Sequence, residues 1–289
     1  MATHKLSAKS ALRGAFSILA FLLLWELGSR SKQWIGADIF LPLRELLGGL
    51  GFKKTYLPWV GAIPAPTEVL TAWAGVIGDA GYWQSWYKSV FRVLAGFITA
   101  MLIGIPFGLL LAVNRTAFGI GFPVFEVLRP IPPLAWVPAS IIFWPTQEMS
   151  IAFVTFLGAF YTIVINVVGG AKSIDQRYFQ AAQSMGSSKW DMFKRIILPG
   201  TLPSIMVGSA VGMGITWEVV VAAEMISGGG SSTGGTGGGG LGFFIWNSYV
   251  GGSYEQIVVG MISIGIAGFF SSELLRALGK YVTPWLRLR

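Results

Sequence analysis

Ionised side chains stand inside apolar runs of this sequence, among them Arg92, Arg129, Glu218 and Glu224. A charge at membrane depth costs roughly 3 kcal/mol on insertion scales, so each must be paired, reach an interface or line a watery path. The two guanidinium groups can meet an anion, and the two carboxylates can pair with them or close a gate. Arg92 lies only a turn or two inside its run, where it either snorkels to the outer interface or faces a pathway. Arg129 is deeper, beside Pro130, Pro132 and Pro133, and is the better candidate for meeting an anion. Glu126, one helical turn earlier, is placed to neutralise it. Glu218 and Glu224 are six residues apart, about 120° on a straight helix, so only one can face a central pathway squarely. Trp217 and Glu224 share a face. A bare carboxylate serves an anion route poorly, so Glu224 is expected to pair with an arginine or act at a gate. Glu26 and Glu273 lie toward the ends of their runs and are expected to reach the interface.

Other chemistries are excluded. The sequence has no cysteine, hence no disulfide, thiolate metal site or thiol nucleophile, and its one histidine, His4, sits in a polar N-terminal tail. No catalytic and no metal-ligating residue is expected. The glycine-rich run from Gly228 to Gly242 holds no Lys or Arg, which a phosphate-cradling loop of the Gly-x-x-x-x-Gly-Lys type requires. It reads as a flexible external connection, a candidate docking surface for a solute-binding protein.

The elements that must hold these residues are set by composition. Of the 289 residues, 53% are apolar and 12% charged, a profile whose solvent is lipid. The basic excess is scattered between long apolar runs, so it sets membrane topology rather than binding nucleic acid. Runs able to cross a hydrocarbon core of about 30 Å occur near 11–28, 86–113, 119–144, 149–170, 203–227 and 254–276. These predict six helices. The first, preceded by Lys5, Lys9 and Arg13, lacks a small-x-small cleavage site and reads as a retained anchor. Basic residues cluster in the N-terminal tail, at Arg115, from Lys172 to Arg195, and at Arg276, Lys280, Arg287 and Arg289. Those segments are assigned to the cytoplasm, with both termini. Within the external stretch from Arg30 to Ser85, Leu41–Leu47 is expected to form a short helix, either interfacial or packed on the bundle. The spacings Gly104-x-x-x-Gly108 and Gly208-x-x-x-Gly212 allow close helix approach. Prolines at 106, 123, 130, 132, 133, 138 and 145 interrupt the second and third spans. Broken backbone at this depth is tolerated only where protein or a cavity satisfies it, so Leu128–Leu134 is expected to line a pathway.

The longest cytoplasmic connection, from Asp175 to Pro199, reads as two short helices meeting at a corner. Gly186 suits the left-handed cap of the first, and Ser188 with Asp191 forms a capping box for the second. Phe179 and Ala182 share a face with Met185 close by, an apolar knob exposed for a partner.

This connection resembles the signature loop of bacterial ABC importer permeases, Glu-Ala-Ala, three residues, Gly, nine residues, Ile-x-Leu-Pro. Ala181, Ala182, Gly186, Ile196, Leu198 and Pro199 match. Gln180 stands where the family has glutamate. The resemblance extends from about Pro64 to the C-terminus through Ile63–Leu70, Ser89–Phe97, Leu128–Pro138 and Val221–Met225. These blocks are similar to the nitrate, bicarbonate, sulfonate and taurine branch, above all its cyanobacterial nitrate and bicarbonate members.

What the resemblance implies is an all-α, polytopic permease of the type I ABC importer fold. Residues 1–85 form an N-terminal anchor helix and external segment, and 86–289 the core transmembrane domain with a coupling loop at 175–199. Phe179, Gln180, Ala181, Ala182, Met185 and Gly186 would couple it to two cytoplasmic ATPase subunits, and Arg92, Arg129, Trp217, Glu218 and Glu224 are pathway candidates. The chain itself would hold no cofactor and hydrolyse nothing, ATP and Mg2+ being used by the ATPases. A second permease copy, as a homodimer, and an external solute-binding protein complete the complex in the bacterial inner membrane. The expected cargo is nitrate, with nitrite; bicarbonate and alkyl sulfonates or taurine are the alternatives. An ion-gradient-driven secondary transporter is the rival from another class. The signature loop, and the lack of a chain of acids able to relay protons, speak against it.

Overall fold

The computed structural model describes residues 8–31, 41–50, 62–228 and 239–285. Lys5, Arg287, Arg289 and most of the glycine-rich run lie outside them. Every regular element among the described residues is helical. In chain order these are α1 (Ala8–Ser29), α2 (Leu41–Gly49), α3 (Pro66–Val76), α4 (Ala80–Val113), α5 (Arg115–Leu128), a 3-10 turn (Pro133–Trp136), α6 (Val137–Phe143), α7 (Gln147–Lys172), α8 (Gln176–Ser184), α9 (Lys189–Met192), a π segment (Phe193–Ile197), α10 (Leu198–Gly228), α11 (Leu241–Val250) and α12 (Tyr254–Val282). The short helix expected at Leu41–Leu47 is α2.

Five of the expected spans are single helices long and apolar enough to cross a membrane: Leu12–Ser29, Ala80–Val113, Gln147–Lys172, Lys189–Ser227 and Tyr254–Val282. The third expected span is not one helix. It is divided into α5, the 3-10 turn and α6, because Pro130, Pro132 and Pro133 lack the N–H groups that would continue α5. Asn114 starts α5 by accepting from the backbone N–H of Thr116 and Ala117 at 2.9 and 3.1 Å.

The described chain divides into two compact units, residues 1–82 with 245–262, and residues 83–244 with 263–289. In the first, Leu12, Phe16, Leu19, Leu23 and Leu27 of α1 are all exposed, as befits a helix whose solvent is lipid. Glu26 near its end binds Arg30 at 2.5 Å and the backbone N–H of Thr67 at 3.2 Å, so it is held by protein partners.

The second unit is built on α7, whose buried residues run from Ser150 to Gly170. Glycines let its neighbours approach. A Cβ on Gly96 or Gly108 of α4 would fall 2.1 Å from Thr155 Oγ1 or 2.8 Å from Val167 Cβ. The α7–α10 seam is similarly close: a Cβ on Gly170 would lie 2.3 Å from Ser204 Cβ, and one on Gly208 2.6 Å from Asn166 Cβ. The paired positions rise together between α4 and α7 and run oppositely between α7 and α10. The first pair is therefore parallel and the second antiparallel, in keeping with the charge-derived topology. Helix α5 is fastened by aromatic contacts, Phe118 on Phe122 at 4.4 Å and Phe125 on Tyr161 at 5.6 Å. The ammonium of Lys172 sits 3.6 Å from the Phe118 ring centre.

Val at Gly170 would overpack this seam, costing about 1–3 kcal/mol and lowering the thermal midpoint of the purified permease by roughly 3 °C or more. Gly169→Val is the control, since a Cβ there meets nothing within 4 Å. A scanning fluorescence melt should separate the two, and equal midpoints would show that the seam has room to spare.

Candidate functional site

Arg92 is buried at one end of the second unit, its side chain 2% exposed. Its Nε donates to Glu148 Oε2 at 2.7 Å and its Nη2 to Glu148 Oε1 at 2.5 Å, a two-pronged pair. Its Nη1 donates to Glu224 Oε1 at 2.9 Å and to the Gly239 carbonyl. Glu224, 0% exposed at its side chain, also accepts from Gly242 N at 2.9 Å and from the Ser89 hydroxyl at 2.8 Å. That hydroxyl in turn accepts from Leu241 N at 2.8 Å. Leu241 and Gly242 open α11, so the carboxylate faces the positive end of that helix. Gly240 lies between them and Gly239 at φ +127°, and a Cβ on it would sit 2.3 Å from the Glu224 carboxylate.

The cluster joins the start of α4, the start of α7, the end of α10 and the last residues of the glycine-rich run. For Arg92, read as reaching the interface or facing a pathway, the guanidinium itself is enclosed and makes four donations to protein acceptors, while its partner Glu148 is 53% exposed. Glu224 pairs with an arginine, as expected. Trp217 is buried on the same face of α10, its indole donating to Ser271 Oγ at 3.0 Å. Glu218 is exposed on α10 in line with Val207, Val211 and Gly214 and forms no ion pair among the described residues. Ser89, Glu148 and the loop end were not singled out from sequence. Topology held the signal for Glu148: it opens the fourth span at the end where Arg92 lies.

Arg129 is the opposite case. Its side chain is 43% exposed, and its charged partner is the expected Glu126, with Nε to Oε1 at 3.4 Å. It donates no hydrogen bond to the described residues. It borders an open cleft of about 250 Å3 together with Pro133, Leu157, Tyr161, Thr162 and Ile215. The cleft opens where the third span is broken, as the proline pattern led one to expect, with Tyr161 and Thr162 near the middle of α7. Among the described residues no group of three or more His, Cys, Asp or Glu could hold a metal.

At the corner after α7, Asp175 caps α8 by accepting from Arg177 N at 2.9 Å. Gly186 adopts φ +74°. Its N–H donates to Gln183 O at 2.9 Å and that of Ser187 to Ala182 O at 3.0 Å, the paired bonds of a Schellman cap. Ser188 caps α9, accepting from Asp191 N at 3.1 Å. The reciprocal half of the expected box is replaced by the Ser188 hydroxyl binding the Asp191 carboxylate at 2.5 Å. The expected apolar knob is corrected. Ala182 is buried, 5% exposed, Phe179 is half-buried, and Met185 projects at 78%. Tyr178 and Trp190 join Met185 as the exposed apolar groups, with Gln180 and Ala181 exposed between them. A single methyl at 182 lets α8 lie against the chain behind it.

Comparison with known proteins follows this geometry. Residues 104–288 match the family model described as binding-protein-dependent transport system inner membrane component. The chain is 34% identical to the nitrate import permease protein NrtB of Leptolyngbya laminosa, over 71% of each chain. It is 32% identical to the taurine transport system permease protein TauC of Escherichia coli K12, over 77% of this chain and 80% of that one. It is likewise 32% identical to the bicarbonate transport system permease protein CmpB of Synechococcus elongatus, over 84% and 89%. An inward-facing structure of the MetNI methionine ABC transporter shares the fold at TM-score 0.60 and 16% identity, covering 71% of this chain and 99% of its own.

Removing one partner from a buried ion cluster costs about 3–5 kcal/mol. Glu224→Leu should therefore lower the thermal midpoint of the purified permease by about 5 °C or more, whereas Arg129→Gln should leave it nearly unchanged. If both variants melt like the parent, the Arg92 cluster does not hold the helices together.

Proposed function

We propose, from the premise that this chain belongs to the binding-protein-dependent transport system inner membrane component family, that it passes a small inorganic anion inward, with nitrate as the cargo and nitrite as its companion. Membership makes the chain the multi-pass inner-membrane permease subunit of an ABC importer, the transmembrane component that works with ATPase and solute-binding partners. The anion, the homodimer and the roles of single residues are our reading.

One observation carries the choice of an anion. Of the two arginines, Arg92 makes four donations to protein acceptors, whereas Arg129 has one carboxylate at 3.4 Å and no side-chain hydrogen bond among the described residues. A guanidinium so lightly held beside a cleft at that depth has to meet water or a passing negative charge. Bicarbonate fits the same feature as nitrate, and CmpB is as similar as TauC. Taurine is favoured by a different detail. Glu126 stands beside Arg129, so the pair presents both signs to a zwitterion. In this reading the exposed carboxylate of Glu218 faces the pathway or a second copy of the chain, lipid being too costly for it.

The complex with its ATPases and binding protein, reconstituted in proteoliposomes, tests the cargo. ATPase stimulation and uptake should respond first to nitrate in a series of nitrate, nitrite, bicarbonate and taurine. Arg129→Gln should cut nitrate uptake at least about tenfold, the worth of a charge-assisted hydrogen bond, with subunit assembly unchanged. Unaltered uptake would remove Arg129 from the pathway, and a response to taurine alone would replace nitrate.

Coupling is tested at the corner. A Cβ on Gly186 meets nothing within 4 Å, so Gly186→Val is penalised by backbone conformation alone, about 1 kcal/mol or more. The variant should insert in the membrane, yet lose ATPase subunits on purification or hydrolyse ATP without moving anion. Unchanged subunit ratio and coupling would make the corner an ordinary loop.

A further inference from the structure

The Arg129 cleft holds two further polar groups. Tyr161 and Thr162 border it, and neither side-chain hydroxyl has a hydrogen-bond partner among the described residues. Thr116, in the first turn of α5, shares that state among the described residues, but most threonines in this chain's helices bond their own backbone. The hydroxyls of Thr99, Thr155, Thr201, Thr216 and Thr283 all donate to the carbonyl four residues earlier, at 2.7 to 2.9 Å. Thr162 makes no such bond, although Gly158 supplies the carbonyl position. The Tyr161 ring is fixed by Phe125 at 5.6 Å and edge-on by Phe160 at 5.6 Å, which sets where its hydroxyl can reach.

We propose that Arg129, Tyr161 and Thr162 form a substrate site within the permease itself, which takes one small oxyanion through a guanidinium and two hydroxyl donors. The proposal rests on the reading of the chain as an anion permease. A guanidinium held by one carboxylate at 3.4 Å, together with two hydroxyls that no described residue answers, leaves donors for such a ligand, and a partly desolvated oxyanion is what those donors need. The cleft of about 250 Å3 has the volume of roughly eight waters at ~30 Å3 each. It is smaller than the ~300–1,000 Å3 of pockets for drug-sized ligands. Leu157, Ile165 and Ile215 supply apolar walls, which leave a small anion little to hold besides the donors.

The site is also placed to respond to the ATPases. Ile215 lies on α10, which continues upstream through the π segment to α9 at the corner beside Met185 and Trp190. From Leu198 to Ile215 is 17 rises of ~1.5 Å, about 26 Å of helix, with no loop to absorb a displacement. Movement of the corner shifts one wall of the cleft against Arg129 and Tyr161, which opens or tightens the site.

The test compares shape with hydroxyl. In the reconstituted complex, Thr162→Val keeps the shape and removes the donor, whereas Thr162→Ser keeps the donor and loses a methyl. Labelled nitrate transported per ATP should fall about tenfold in Thr162→Val combined with Tyr161→Phe and stay near the parental value in Thr162→Ser. A loss of that size is the worth of hydrogen bonds to a charged ligand, and the purified complexes should keep the parental subunit ratio in all three variants, so that the loss is not one of assembly. Parental transport by the double variant, or a Thr162→Ser loss as large as that of Thr162→Val, overturns the site. If the parent complex carries taurine or bicarbonate instead, the same variants are assayed with that anion. Reduced transport then supports the site and removes only the nitrate reading; undiminished transport overturns the site as well.

Discussion

A guanidinium enclosed by helices at membrane depth persists only if its charge and its donors are answered, and the Arg92 cluster is where this chain meets that constraint. Two carboxylates, a carbonyl and, behind them, a hydroxyl and two backbone N–H groups close the arrangement. Its role follows from what surrounds it. Helices α4, α7 and α10 meet through glycines, and seams of small residues bring backbones close without interlocking them strongly. One arginine bonded to the start of α7 and the end of α10 fixes their register at that end. It also ties down the last residues of the glycine-rich run, where Gly240 leaves room for the carboxylate that any side chain would fill.

With that end pinned, the rest of the unit can carry what is not pinned. The third span breaks at its prolines, and the break exposes Arg129 beside two hydroxyls that no described residue answers. Helix α10 runs from the cytoplasmic corner past this cleft to Glu224. One element thus connects the corner that exposes Met185 and Trp190, the cleft and the fixed end. The π segment just before Pro199, in which Leu198 N bonds Phe193 O, marks where α10 is locally widened ahead of a residue that cannot donate.

Much of this was legible in the sequence, for physical reasons that can be named. The long helices follow from the length of apolar runs, the break at 129–136 from proline chemistry, and the Gly186 corner from the cost of a positive φ. The glycine seams were visible as spacing, and the Glu224 pairing followed from the cost of a bare buried charge. Partner identities were less accessible. Glu148 is 56 residues from Arg92, and sequence spacing does not reveal which carboxylate a folded bundle delivers. Ala182 was placed on an exposed face because its helix was read in isolation; packing turned it inward and left Tyr178, Met185 and Trp190 outside. Tyr161 and Thr162 carry no such signal: a helical threonine hydroxyl ordinarily bonds its own backbone, a phenol reaches beyond it, and only the fold shows which hydroxyls border a cleft.

The central claim is that one arginine is closed off by the protein while the other opens on a path for anions. The chain has no native cysteine, so single cysteines can report on both places. The direct measurement is labelling of Thr162→Cys and Ser89→Cys in membrane vesicles by an anionic methanethiosulfonate, with and without nitrate. The account predicts that the cysteine at 162 reacts, that nitrate slows it severalfold, and that the protection disappears with Arg129→Gln, while the cysteine at 89 stays unreactive. A cysteine at 162 that does not react, or one that reacts equally with and without nitrate, would contradict it.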